Sequence, residues 1–254
     1  MEKKYSLLVS VLSFFILTLG CCLGVAQSAM AQSKLNIHQA TFEESRQVTP
    51  EVTTEEVQRI LASGSEPLLD VRSVKEYSIA HIPGSINLYE KEVERILKLY
   101  PDKTTYMVLY CNGPFCGKSK RVSEQLFKMD YINVRRYQLG LPVWRALGNT
   151  VQTDLEGFRY VFTGDKTAVF VDARSQAEFE AGSLPGAVNI RRGEAEKANE
   201  DGRLPHEDKG TRVIVFANNP QDARTVAEEI AKKAYWNSSY FEGTFEELKR
   251  AGLW

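Results

Sequence analysis

Cysteine and histidine are scarce in this 254-residue chain, which has four of the first and three of the second. Cys21 and Cys22 lie in an apolar leader, whereas Cys111 and Cys116 lie five apart in one loop. That pattern excludes a disulfide framework, even in an oxidising compartment. His38, His81 and His206 are scattered and none stands at metal-ligand spacing from a cysteine, so no metal site is expected. Net charge is nearly absent too: 32 Lys and Arg against 33 Asp and Glu leave −1. A chain so balanced is not a polyanion binder, and nucleic acid is excluded as a partner. What is there, 43% hydrophobic and 26% charged residues, is ordinary globular composition, long enough for one large or two modest cores.

Only the N-terminus carries a long apolar run. Lys3 and Lys4, the stretch from Leu7 to about Val25, and Ala29-Met30-Ala31 form the three parts of a secretory signal peptide, with cleavage expected after Ala31. Residues 1–31 are therefore assigned to the leader and the polar residues 32–48 to a linker. Loss of Glu2, Lys3 and Lys4 would take the net charge from −1 to −2. The expected location is outside the cytoplasm, in a bacterial periplasm. Two alternatives stay open: the run approaches the length of a membrane anchor, and Leu19-Gly20-Cys21 resembles a lipoprotein cleavage site, although Thr18 stands where an aliphatic residue is usual. A membrane enters only if this segment is retained or lipidated.

The chain is organised around Cys111-Asn112-Gly113-Pro114-Phe115-Cys116-Gly117-Lys118-Ser119, which follows the apolar run Tyr106 to Tyr110. A buried strand that ends on a thiol, then a Gly/Pro loop, then a helical pattern aims backbone N–H groups and a helix N-terminus at the sulfur. Such surroundings lower a thiol pKa from about 8.5 toward neutrality and favour the nucleophilic thiolate. Cys111 is the candidate nucleophile. Gly113 and Gly117 supply the unusual dihedrals, Pro114 stiffens the loop and Lys118 brings positive charge for an anion. The bland alternative is a buried cysteine that fills space.

Around this loop, short apolar strands alternate with helical segments. Thr53 to Glu56 forms a capping box, with Val57, Ile60 and Leu61 on one face of the helix that follows. Pro67–Arg72 reads as a buried strand, Ser73–Ile79 as a helical turn and Ser85–Leu88 as another strand. Glu90–Leu99 reads as a helix, Val122–Met129 as a second, and Asn133–Tyr137 as the last strand. This alternation predicts an α/β fold with a parallel sheet.

The pattern occurs twice. Asp70, Arg72, Glu76, Tyr77, Pro83, Gly84 and Asn87 recur without a gap as Asp172, Arg174, Glu178, Phe179, Pro185, Gly186 and Asn189, offset by 102. A repeat of that length is a duplicated domain. Domain 1 is placed at 49–148, a connector at 149–153 and domain 2 at 154–254.

Asp70-Val71-Arg72, Glu76-Tyr77, His81-Ile82-Pro83-Gly84, Asn87, and Cys111 at a strand end together resemble the rhodanese family. The likeness extends to Tyr131-Ile132-Asn133-Val134 and to Gly140–Trp144. It implies two tandem rhodanese-like domains, each a parallel sheet flanked by helices, and a sulfurtransferase activity. In such an enzyme Cys111 would take a sulfane sulfur from a small anionic donor such as thiosulfate. It would hold that sulfur as a covalent persulfide, with no other cofactor, and pass it to cyanide, a thiol or a protein acceptor. Asn112, Gly113, Pro114, Phe115, Cys116, Gly117, Lys118 and Ser119 would line the substrate site.

This sequence departs from the family pattern in two ways. Lys118 stands seven residues after Cys111, where the family's basic residue stands five after; Tyr131 is twenty after Cys111, whereas Tyr235 is eighteen after Ala217. A larger loop suits a bulkier donor or acceptor and leaves an oxyanion enzyme open as an alternative. Cys116 is the second departure: it is either a resolving thiol for an oxidised Cys111 or a packed loop residue. A persulfide carrier with poor turnover is a further alternative. Domain 2 has Ala217 where Cys111 stands and Asp222 where the family has a cation, so it is expected to be inactive, a reversal of the usual order. The duplicated Asp–Arg pairs, His81, Trp144 and Phe245 are expected to be structural, and Glu194–Asp201 a solvated loop.

Overall fold

The computed structural model describes residues 49–165 and 167–254; the expected leader and linker lie outside them. Domain 1 opens with α1 (Thr54–Ser63), started by the reciprocal Thr53/Glu56 capping box and ended at Gly64 with φ +61°. Then come β1 (Leu68–Asp70), α2 (Val74–Ile79), β2 (Ile86–Asn87), a 3₁₀ turn (Val93–Arg95) running into α3 (Ile96–Leu99), and β3 (Met107–Tyr110). The domain closes with α4 (Lys118–Lys128), β4 (Val134–Tyr137) and α5 (Gly140–Ala146). The sheet is wholly parallel, in the order β2-β1-β3-β4.

Domain 2 repeats this plan with β6 (Val169–Asp172), α7 (Gln176–Ala181), β7 (Val188–Asn189), α8 (Ala195–Glu200), β8 (Val213–Phe216), α9 (Pro220–Ala231), β9 (Ser238–Phe241) and α10 (Phe245–Arg250). Ahead of these stand β5 (Val151–Thr153) and α6 (Leu155–Gly164). Its sheet is also parallel, ordered β5-β9-β8-β6-β7. Two parallel sheets flanked by helices match the fold class expected from the sequence.

Three local readings are corrected. The connector 149–153 contains a strand: Val151 and Thr153 turn inward, pair β5 with β9 and place the segment in the second sheet. Glu194–Asp201 is not a loop, because Ala195 and Ala198, three apart, bury one face of α8 in the domain 2 core. The helix read over Glu90–Leu99 is a 3₁₀ turn that widens into one short α-helix.

Strand alternation sorts the domain 1 core into two faces. Leu68, Val108 and Tyr110 pack with Val57 and Trp144 on one side. Leu69, Leu109 and Cys111 pack with Val122, Leu126 and Tyr131 on the other. The expected core residues Trp144 and Phe245 are indeed buried. Where the strand order reverses, β1 and β3 lie side by side with Asp70 opposite Tyr110. In an open parallel sheet the crevice beyond the carboxyl ends of such strands is the natural ligand position, and Cys111 is the first residue beyond β3.

The domains join through backbone. His81 and Gln152 exchange N–H···O bonds of 2.9 Å each way, and Asp154 N donates to Ser78 O at 3.0 Å. Gly157 lets α6 press on α2: a Cβ there would sit 1.9 Å from Ser78 O.

Candidate active site

The loop after β3 is held from below by a glycine outside it. Leu141 N donates to Cys111 O at 3.1 Å, and Gly140, at φ +61°, lies so close that a Cβ would fall 2.4 Å from Cys111 O and 2.5 Å from Gly113 N. Gly113 itself has φ +103°, which an L side chain rarely adopts. Its carbonyl accepts from Cys116 N at 2.9 Å, closing a tight turn. Gln138 ties the loop to β4: Nε2 donates to Pro114 O at 2.7 Å, while Oε1 accepts from Ser119 Oγ at 3.3 Å.

The sulfur of Cys111 faces the start of α4, whose N-cap, Gly117, offers no side chain. Its Sγ donates to Cys116 O at 3.3 Å and lies 3.6 Å from Ser119 Oγ. Cys111 is 1% exposed. Burial pushes its thiol up to about 11, reinforced by the neighbouring Cys116 thiol, while the Ser119 hydroxyl and backbone N–H pull the other way. The low-pKa cradle expected from the sequence is thus replaced by one opposing N–H and one hydroxyl. The loop turns a carbonyl toward the sulfur, and a thiol, not a thiolate, satisfies that carbonyl.

Charge around the loop is balanced rather than positive. Lys118 Nζ lies 3.3 Å from Glu76 Oε2 and 3.8 Å from Glu90 Oε1, and Arg121 Nη2 lies 2.8 Å from Glu90 Oε2. Lys118 was expected to serve an anion at the sulfur; here two carboxylates hold it. Burial works to raise Glu76, but hydrogen bonds from Ser73 and Asn112 and the charge of Lys118 outweigh it and leave the carboxyl at about 2. Asn112 Nδ2 donates to Glu76 Oε1 at 2.6 Å, and Asn112 Oδ1 accepts from Arg72 Nη1 at 3.4 Å. Phe115 is fully exposed at the loop tip and Cys116 half-buried.

Among the expected site residues, then, Ser119 and Cys116 touch the sulfur, and Gly113 and Pro114 shape the loop. Asn112 and Lys118 engage Glu76. Phe115 stands clear, and Gly117 begins the helix. Sequence reasoning missed Gln138 as a loop tether; its one signal was a polar residue between strand Val134–Tyr137 and the Gly140 turn. Glu76 was seen as a repeated residue but not as the cap of α2, where it forms a reciprocal capping box with Ser73.

The duplicated residues do the same work in both domains. Arg72 Nη2 donates to Asp70 Oδ2 at 2.5 Å and to Ala80 O at 2.6 Å; Arg174 Nη2 donates to Asp172 Oδ2 and Gly182 O at 2.7 Å each. Asn218 Nδ2 meets Glu178 Oε1 at 2.6 Å, as Asn112 meets Glu76. His81 stacks on Tyr77 with centroids 3.8 Å apart, its Nδ1 2.9 Å from Tyr77 O. Burial pushes its pKa down. At the second loop Ala217 is buried, and Asn219 caps α9 through Asp222 N at 2.9 Å. No group of His, Cys, Asp and Glu that could hold a metal ion occurs among the described residues.

Comparison with known proteins follows this geometry. The rhodanese-like domain family matches residues 53–147 and 162–251. Similar proteins include thiosulfate sulfurtransferase PspE of Escherichia coli, 39% identical over 72 residues, with 28% of this chain and 66% of that protein covered. Human thiosulfate:glutathione sulfurtransferase is 38% identical over 108 residues, 37% of this chain and 92% of that protein. The HTH-type transcriptional regulator Rv0324 of Mycobacterium tuberculosis is 32% identical over 101 residues, 38% of this chain and 42% of that protein. The matching segment thus spans under half of the regulator and nearly all of the human enzyme. By two matched domains, this chain belongs to the rhodanese-like domain family.

Proposed function

We propose that the chain is an exported sulfurtransferase that moves a sulfane sulfur from a thiosulfate-like donor, through a persulfide on Cys111, to a thiol or cyanide. One observation carries the reading: a single sulfur stands at the carboxyl end of the central strand, against the Ser119 N–H and hydroxyl at the start of α4. The Cys111 thiol loses its proton as the loop parts and attacks the outer sulfur of the donor. The S–S bond of the donor breaks with its electron pair leaving on sulfite. Freed from Cys116 O, the sulfur keeps the Ser119 donors, which stabilise negative charge on the thiolate and then on the persulfide. The family membership and the names of the E. coli and human relatives support this chemistry, and the secretory pattern of residues 1–31 supports export.

The burial of Cys111 favours a second reading, a persulfide carrier that opens only against a partner. Thiocyanate formation from thiosulfate and cyanide by wild type and Cys111→Ser tests the first. The expected result is turnover by the wild type alone. A stable 32 Da gain on Cys111 without turnover would support the carrier, and equal activity in both proteins would refute a role for this cysteine.

A further inference from the structure

Cys111 and Cys116 are both free, pack into the same core cluster and differ in exposure, the first buried and the second half-exposed. The sulfur of Cys111 is 3.3 Å from the carbonyl oxygen of Cys116. A residue's carbonyl oxygen lies about 2.4 Å from its own Cα, which puts Cys116 Cα within about 6 Å of that sulfur. The two thiols also act on each other, Cys116 helping to raise Cys111, whereas a disulfide needs the two Cα atoms about 4.4–6.8 Å apart, so the loop must close on the pair to bond it. The loop between the cysteines contains Gly113, and Gly117 follows it, so a turn of χ1 with a small backbone adjustment brings the two sulfurs together. A persulfide on Cys111 would be screened from bulky acceptors by the same loop, yet have one thiol beside it inside the screen.

We infer that, where no cyanide or small thiol competes, Cys116 is the acceptor for the Cys111 persulfide, so that the loop releases the transferred sulfur as sulfide and closes as a Cys111–Cys116 disulfide. The inference rests on the persulfide chemistry proposed above and specifies its product. In the first step Cys111 takes the sulfane sulfur and sulfite leaves. In the second, the Cys116 thiolate attacks Cys111 Sγ, the bond from Sγ to the outer sulfur breaks, and that sulfur departs with the electron pair as hydrosulfide. Overall, thiosulfate and two thiols give sulfite, hydrogen sulfide and one disulfide. The sulfane sulfur gains two electrons, the two cysteines lose two, and both thiol protons end on the sulfide. A second turnover requires a dithiol reductant, which would attack the half-exposed Cys116 sulfur and leave Cys111 shielded.

The test mixes reduced, desalted full-length protein with thiosulfate and no other thiol. Sulfite, sulfide and the mass of the peptide spanning residues 111–116 are measured, and peptide mapping sets apart Cys21 and Cys22. The expected wild-type result is about one equivalent each of sulfite and sulfide per chain, with a 2 Da loss across the pair. In Cys116→Ser the expected result is at least tenfold less sulfide for each sulfite released and a 32 Da gain on Cys111. Wild-type protein that releases sulfite but keeps the persulfide with Cys116 free would overturn the inference and leave the sulfurtransferase reading standing. Equal sulfide from both proteins would also overturn it. Sulfite from neither would overturn both.

Discussion

The ionisation of Cys111 is the quantity on which the chemistry turns, and the structure gives it a sign opposite to that expected from the sequence. An ordinary thiol with a pKa of about 8.5 is roughly 7% ionised at pH 7.4. The pKa of Cys111, pushed up to about 11 by burial and by the Cys116 thiol, leaves roughly one molecule in four thousand as thiolate at that pH. The sign is unambiguous: the protonated form is neutral and suits a buried site, so the charged form gains only as pH rises toward the raised value. In a Cys116→Ser background, which keeps burial as the first cause and removes the Cys116 thiol, iodoacetamide alkylation of Cys111 should therefore climb about tenfold per pH unit from pH 6 to pH 8, without a plateau. At pH 7.4 it should run at least a hundredfold slower than a free cysteine, since burial to 1% exposure adds an opening step. Alkylation is read as loss of the free Cys111 peptide by mass spectrometry. A plateau with a midpoint below pH 8 would refute the reasoning and restore a thiolate held at rest.

Other perturbations probe the supports of the loop. Gly140→Ala drives a Cβ into Cys111 O and Gly113 N at a position with φ +61°, and should cost about 3 kcal/mol or more, visible as a melting-temperature drop of roughly 6–12 °C; an unchanged melting temperature would contradict the close packing. Glu90→Gln releases Arg121 and loosens Lys118, so the KM for thiosulfate should fall about two- to fivefold at low salt, an effect that 0.5 M salt should erase. Glu76 is depressed to about 2; its contribution to stability is present above the ordinary carboxylate range and is lost only as pH falls through about 2. Urea midpoints of wild type and Glu76→Gln should hence differ at pH 5 and converge near pH 2. Gln138→Ala frees Pro114 O and Ser119 Oγ, so Cys111 alkylation should speed up severalfold with little change in melting temperature.

Periodicity and the repeat made most of the fold legible. Strands β3 and β8 are uninterrupted apolar runs buried on both faces, and β1 is a buried apolar pair closed by Asp70, a pattern that long-range packing cannot disguise. The two short elements that went unseen, β5 and α8, are marked by only two inward side chains each: Val151 with Thr153, and Ala195 with Ala198. Alanine and threonine say little about burial until a neighbouring sheet supplies the other wall. At the site, the position of Cys111 after a central strand was readable, because it follows from local pattern. Its protonation was not, because the depth of burial and the packing of the Cys116 thiol against it decide it, and nothing in composition records how a loop folds over a side chain. The same holds for Lys118, whose carboxylate partners come from residues 42 and 28 positions earlier in the chain.

The second domain supplies the comparison that separates scaffold from chemistry, since it builds the same sheet order from the same chain. Asp–Arg pairing, the Ser/Glu capping box and the Asn–Glu bond at the loop are all repeated there. Whatever those groups do is done beside Ala217, so they cannot by themselves constitute sulfur chemistry. What differs around the sulfur position lies in the loop. Domain 2 has alanine for Cys111, two fewer residues before the Tyr landmark, and an Asn219 side chain that caps its helix. Domain 1 leaves the corresponding helix start without a side-chain cap and sets sulfur beside it. The first turn of α9 thus gives an N–H, that of Asp222, to an asparagine, whereas the first turn of α4 gives the Ser119 N–H to Cys111. Replacing Ala217 with cysteine should consequently give a buried thiol without persulfide chemistry, because Asn219 already accepts from an N–H of that first turn and Asp222 adds a negative charge to it.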